Sequence, residues 1–332
     1  MIISKTPLRI SLFGGGSDFP SYYKKKKSSV IGFAINRYNY IFFNSKFINR
    51  SVYKYQISYS KFEKINQIKK IKHPSVRETL KYFNFDDPFQ LHFNGELPAR
   101  TGLGSSSAFT VGLCNILNYH KNKKINMIGL AKQAIDIEQN KIKEFVGSQD
   151  QTFASFGGFN KISFYKNNIN VKKLELSKSQ INEIEESSLL VFTGQSRFAD
   201  KIEKKKFNLM NNKKMETLDK IVSISSEAEK LFSKKKIDIT EVGKLLNDTW
   251  NLKKTLDQQV SNDRINDIYN YAIESGAYGG KLLGAGGGGF IYLLCPKYKK
   301  KKIRRNLKKL ISLDIKISEI GSKIISATPE YY

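Results

Sequence analysis

The sequence predicts a two-domain α+β protein, and three observations predict it. A chain of 332 residues exceeds one small domain and suits two that share a cleft. Its first half mixes alternating, strand-like runs with helical stripes. Its second half is mostly helical and Lys-rich, and it returns to strand after a Gly-rich turn.

Residues 1–13 read as a strand or hairpin arm that ends in Gly14-Gly15-Gly16. Residues 31–43, rich in Tyr, Phe and Ile, read as strand, as do 89–94, where Phe89, Leu91 and Phe93 alternate with polar neighbours. Residues 105–119 form a predicted helix with Phe109, Leu113, Ile116 and Leu117 on one stripe, and 126–140 form another. In the second half, 189–193 read as strand and 199–235 and 239–256 as helical. A helix over 263–275 leads through the Gly-rich turn into a strand at 290–295. Residues 300–311 suit an amphipathic helix with Ile303, Leu307, Leu310 and Ile311 facing inward, and a short strand pair closes the chain. The pattern turns polar and irregular within 164–188, so the expected domains are 1–175 and 176–332.

Composition narrows the function. No basic stretch followed by an apolar run stands at residue 1, and no apolar run approaches the roughly 18–20 residues of a membrane span. Cys114 and Cys295 lie in unrelated segments, and His73, His92 and His120 are scattered, which argues against a disulfide framework or a Cys/His metal site. The expected location is cytoplasmic, with no membrane partner. The net charge of +27 fits either a solvated basic surface or a nucleic-acid binder. Because the lysines fall in short runs and no dense aromatic-plus-basic strand motif occurs, no nucleic-acid partner is expected. A basic protein does attract anionic small molecules. Oligomeric state stays open, a homodimer included.

Three Gly-rich segments carry the chemistry. The middle one runs Pro98-Ala99-Arg100-Thr101-Gly102-Leu103-Gly104-Ser105-Ser106-Ser107-Ala108. Its glycines allow close backbone approach to a ligand. Its serines open a helix whose free N–H groups favour an anion, with hydroxyls placed for Mg²⁺. A Ser-capped helix after a turn has the same local look. No G-x-x-x-x-G-K-[ST] loop occurs. Gly284, Gly286 and Gly289 satisfy G-x-G-x-x-G, but they run into a strand pattern, whereas a dinucleotide site must open a helix. The first segment, Thr6-Pro7-Leu8-Arg9 through Gly14-Gly15-Gly16-Ser17-Asp18, sets a cation and a carboxylate on either side of a turn.

Together these segments resemble the three motifs of the GHMP kinases, the family of galactokinase, homoserine kinase, mevalonate kinase and phosphomevalonate kinase. The first is Pro7-Leu8-Arg9 through Asp18, the second 98–108 and the third 281–290, in the family's order. Thr6-Pro7-Leu8-Arg9, Gly147-Ser148-Gln149-Asp150-Gln151 and Gly276-Ala277-Tyr278 are similar to the branch of heptose 7-phosphate kinases and related anomeric sugar kinases. The resemblance implies an N-terminal domain like ribosomal protein S5 domain 2 and a ferredoxin-like C-terminal domain, with ATP and acceptor meeting between them. It implies a small-molecule acceptor, a sugar or sugar phosphate, with D-glycero-D-manno-heptose 7-phosphate leading and another sugar such as L-fucose behind it. A catalytically silent sugar or nucleotide sensor is the rival of another class.

The resemblance also implies roles. Pro98, Gly102, Leu103, Gly104, Ser105, Ser106, Ser107, Ala108, Gly286 and Gly287 would hold the nucleotide. Asp150, in a Gly-containing loop, would be the base on the acceptor hydroxyl, with Arg9 as its cation; an Asx turn is the bland alternative. Ser106 and Glu138 would bind Mg²⁺. Glu138 also falls on the inward stripe of Met127, Ala131, Ala134 and Ile135, where a carboxylate needs a metal or an ion-pair partner. Asp18 would bind sugar hydroxyls. Gly15 and Gly16 stand where galactokinases carry a Glu-His pair, which implies an acceptor pocket open on that side. Arg197, Lys253 and Lys254 are candidates for an acceptor phosphate, or solvated helix charges.

Overall fold

The computed structural model describes residues 1–45, 53–195 and 211–327. The first half builds a sheet from β1 (Ile2–Phe13), β2 (Ser28–Asn44), β3 (Tyr55–Ser58), β4 (Phe62–Ile65), β5 (Phe89–Gly95), β6 (Phe159–Tyr165) and β7 (Asn168–Lys173). Helices α1 (Pro74–Tyr82), α2 (Ser105–His120), α3 (Met127–Asp136) and α4 (Gln149–Phe156) accompany it. The second half contributes α5 (Lys178–Ser187), β8 (Ser188–Phe192), α6 (Asn212–Phe232), α7 (Ile239–Leu256), α8 (Asp263–Glu274), β9 (Gly279–Leu282), β10 (Phe290–Leu294), α9 (Lys297–Asn306), β11 (Ser312–Leu313) and β12 (Lys323–Ala327).

In the first sheet the path is β12-β1-β2-β5-β3-β4. Strand β2 pairs with β1 along its length, with β5 through its second half and with β6 through its first half, and so the sheet branches. Residues Thr6 to Phe13 of β1 are buried without alternation, because α2 and α6 both pack on β1 and β2. The second sheet is antiparallel, in the order β11-β8-β10-β9. Trp250, Tyr269, Ile291, Leu293 and Ile303 form its own core. A larger apolar core is common to both sheets: Ile10 and Phe33 of the first belong to it with Leu190 and Tyr292 of the second. The two halves therefore meet over packed side chains, and β1 ends at that contact.

Several expectations need correction. The closing strands do not pair with each other: β11 joins β8, and β12 returns to β1. Helix α9 lies earlier than 300–311, so Ile303 and Leu307 are buried but Ile311 is 62% exposed. Met127 is 52% exposed at the first turn of α3, outside the buried stripe. That helix ends at Asp136, and Ile137–Lys141 forms a π turn closed by Ile142 N donating to Ile137 O. Part of the helical reading over 199–235 lies outside the described residues. No helix of the described residues is long and apolar enough to cross a membrane.

Candidate active site

Arg9 and Asp150 meet although 141 residues separate them. Arg9 sits near the middle of β1, 4% exposed, and Asp150 lies in the first turn of α4 rather than in a loop. The guanidinium grips both carboxylate oxygens, Nε to Oδ1 at 2.8 Å and Nη2 to Oδ2 at 2.6 Å. Its Nη1 donates to Gly102 O at 2.6 Å. This fork geometry fixes the direction of the carboxylate, whose side chain is still partly open to solvent.

The pair borders the second Gly-rich segment. Gly104 is the N-cap of α2 at φ 77°, in the left-handed region, and brings no side chain to the first-turn N–H groups. A Cβ there would stand 3.2 Å from Arg9 Cγ and 3.4 Å from Asp150 Oδ2. Leu103 O accepts from Arg9 N, which anchors the loop to β1. Ser105 O accepts from Asn39 Nδ2, Ala108 is buried, and Pro98 O accepts from Thr101 Oγ1. Ser106 is exposed at the start of the helix. The third segment locks against the second: a Cβ on Gly284 would come 2.6 Å from Gly102 Cα, and Phe290 N donates to Thr101 O. Gly286 and Gly287, both at positive φ, lie against Val260 and Gln259. Lys253 on α7 holds this loop from below, its Nζ donating to Leu282 O at 3.0 Å and Gly284 O at 2.5 Å.

Asp18 is buried on the other side of Asp150. Its Oδ1 accepts from Gly16 N at 3.0 Å and its Oδ2 from Gln149 N at 3.3 Å. Burial, and then the Asp150 charge, push its pKa up to about 6. The approach demands a glycine at 147, since a Cβ there would lie 1.8 Å from Asp18 Oδ2. Gly15 faces Ser11, Gln149 and Lys281. Gly16 faces Leu218 of α6 at 3.1 Å, so an apolar side chain fills the space expected to be open there.

Glu138 lies on the π turn, fully buried. Its Oε2 accepts from Ser107 Oγ at 2.8 Å and Gln151 Nε2 at 2.5 Å, whereas Oε1 is buried without a partner among the described residues. Burial raises its pKa to about 7. No Lys or Arg pairs with it in the described ion pairs, which removes the salt-bridge alternative there.

The remaining candidates divide. Lys253 is occupied by backbone carbonyls, and Lys254 Nζ stands 5.8 Å over the Trp250 ring. Arg197 lies outside the described residues. Sequence reasoning missed Lys281. It is buried on β9, and its Nζ donates to Leu12 O at 2.9 Å, across the contact between the sheets. Its signals were a cation inside an otherwise apolar strand pattern and its place as the first residue of the third segment, 281–290.

Fold and site together show a two-domain protein of mixed helix and sheet in which Gly-rich loops lie against a part-buried Arg–Asp pair. Residues 66–158 match the GHMP kinases N terminal domain and residues 228–312 the GHMP kinases C terminal domain. The chain is 31% identical to a D-glycero-alpha-D-manno-heptose 7-phosphate kinase of Campylobacter jejuni, over 93% of each chain. It is 26% identical to a bifunctional fucokinase/GDP-fucose pyrophosphorylase of Arabidopsis thaliana over 67% of this chain and 21% of that one. Its fold superposes on a D-glycero-D-manno-heptose 1-phosphate kinase from Bacteriodes thetaiotaomicron with a TM-score of 0.79 and 21% identity, covering 99% and 100% of the two chains. The chain belongs to the GHMP kinase family and has that family's two-domain fold of mixed helix and sheet. It is an enzyme, a kinase, of a family that uses ATP.

Proposed function

We propose that the enzyme transfers the γ-phosphoryl group of ATP to the anomeric hydroxyl of a sugar phosphate. D-glycero-D-manno-heptose 7-phosphate is the acceptor we favour, with the 1,7-bisphosphate as product. The observation that carries this reading is the Arg9–Asp150 fork set against Gly102 and Gly104, beside the open first turn of α2. The first-turn N–H groups and the loops around Gly102, Gly104, Gly286 and Gly287 bind the phosphates; glycine at 102 and 286 lets these loops pack closely, since a Cβ there would strike the backbone of Leu283 or Val260. Asp150 takes the proton of the acceptor hydroxyl while Arg9 keeps the carboxylate aimed. Asp18, held by two backbone N–H groups, binds a further hydroxyl of the sugar.

A divalent ion fits the residues present. Glu138 Oε1 is a buried carboxylate oxygen with no hydrogen-bond partner among the described residues, and the exposed Ser106 hydroxyl is on the helix whose Ser107 already bonds Glu138. No cluster of three acidic, His or Cys side chains suited to a metal occurs among the described residues. One or two protein oxygens plus phosphate oxygens is the ligand set that Mg²⁺ favours, and bound there it neutralises charge on the transferred group. Sugars and sugar phosphates, L-fucose included, should be assayed with ATP and Mg²⁺ for ADP release, and products assigned by phosphorus NMR. An anomeric phosphate on a sugar phosphate supports the reading. Phosphorylation of a non-anomeric hydroxyl contradicts it.

A further inference from the structure

Three polar side chains converge on one small space, the position a Cβ would take on Gly15. Ser11 Oγ is 3.3 Å from that point, Gln149 Nε2 3.8 Å and Lys281 Nζ 3.9 Å. All three residues are more than nine-tenths buried. Ser11 Oγ, the nearest of the three, has no hydrogen-bond partner among the described residues; on Gln149 the unpartnered atom is Oε1, on the same amide as the Nε2 that faces this point. Lys281 Nζ has three protons to donate and gives one to Leu12 O. Buried polar groups left in this state mark a place where a ligand atom or water completes the bonding. The neighbours bear on which ligand: Gln149 adjoins Asp150, and Asp18 takes the Gln149 backbone N–H. The three come from β1, α4 and β9, so both halves of the molecule hold the space.

We infer that Lys281, Ser11 and Gln149 form a subsite for one oxygen of the acceptor, with Lys281 as its charged donor. The inference rests on the proposed sugar-kinase reading and adds three binding residues to it. A single oxygen at this point, either a hydroxyl or a phosphate oxygen of the acceptor, would lie within reach of all three side chains. The charges agree. Burial first, then the charges of Lys253 and Arg9, press the Lys281 pKa well down, and an electron-rich oxygen at this point would favour the protonated amine. Glycine at position 15 is what keeps the space free.

The test uses Gly15→Ala in the full chain. The backbone there is not in the left-handed region, and the closest neighbour of the added methyl is the Ser11 hydroxyl at 3.3 Å, which need give by only a few tenths of an ångström. The expected result is a rise of about ten- to a hundredfold in acceptor KM, the worth of a lost bond to a charged group, with nucleotide KM within about twofold. Ser11→Ala, a truncation that leaves the packing in place, should raise acceptor KM in the same direction. A rise confined to phosphorylated sugars assigns the oxygen to the acceptor's phosphate, and a rise for free sugars as well assigns it to a hydroxyl. Unchanged acceptor KM in both variants, or a rise in nucleotide KM alone, overturns the subsite. Thermal shift with sugars and no nucleotide separates the two claims. Sugar binding that Gly15→Ala abolishes, in a wild type without sugar-dependent ADP release, keeps the subsite and contradicts the kinase reading.

Discussion

Arg9 directs three of its five N–H donors at Asp150 and Gly102, which holds the carboxylate in one orientation while its side chain stays partly open to solvent. Asp150→Asn keeps the size and removes the base. It should lower kcat by about 10²–10⁴ with little change in nucleotide affinity, measured by steady-state kinetics and nucleotide titration. Turnover like that of wild type would exclude Asp150 as the base. Asp18 gives a pH signature. Its carboxyl titrates at 3.8 unfolded and about 6 folded, so between these values the native state holds a proton that the unfolded state has released. Stability from this group therefore falls as pH rises through that window and is flat above it. Relative to Asp18→Asn, the wild type should lose on the order of 2–3 kcal/mol between about pH 4 and pH 6, read from denaturant melts. A difference independent of pH would show that Asp18 is not held in this environment. At this scale the sequence marked Arg9, Asp150, Asp18 and Glu138 one by one, through motif context. It could not show that Lys281 meets Ser11 and Gln149, because that depends on how β9 of the second sheet lies against the end of β1.

The second and third glycine segments act as one element, since each occupies the space a side chain on the other would need. Gly104→Val adds bulk at φ 77° against Arg9 and Asp150. It should weaken nucleotide binding at least about tenfold and cost turnover too. Unaltered nucleotide affinity would put the nucleotide elsewhere. Lys253→Met removes the two bonds that tie α7 to the third segment, and nucleotide KM should rise several-fold while acceptor KM holds. An effect on acceptor KM alone would return Lys253 to the acceptor-phosphate role. Long elements were legible because their periodicity is strong: α2, α7 and β1 fall within a residue or so of their expected ends. The four-residue strands β3 and β4 carry too few residues to show a period, and β7 lies in the stretch that reads as polar and irregular. The π turn that aims Glu138 inward was hidden as well. Its sequence continues the helical stripe, and only the backbone bond from Ile142 N to Ile137 O reveals the wider turn.

At the scale of the whole molecule, two sheets share one core, and the site is assembled where β1 ends, from residues of both halves. The two-sheet plan was legible through the order of the three Gly-rich segments, whereas the return of β12 to β1 was not, since a short terminal strand carries no sign of its partner. The net charge of +27 gives the molecule as a whole an attraction for anions. For an anionic acceptor, kcat/KM should fall about threefold or more between roughly 20 and 200 mM salt, and for a neutral sugar much less. Equal salt dependence for both would mean that the surface charge has no part in acceptor capture. The central claim is that the acceptor already bears a phosphate, and its most direct test is the ratio of kcat/KM for heptose 7-phosphate to that for free heptose, galactose, fucose and mannose. The account predicts a ratio of at least about a hundredfold, the worth of one or more charge-assisted contacts. A ratio near one, or a preference for a free sugar, would contradict it.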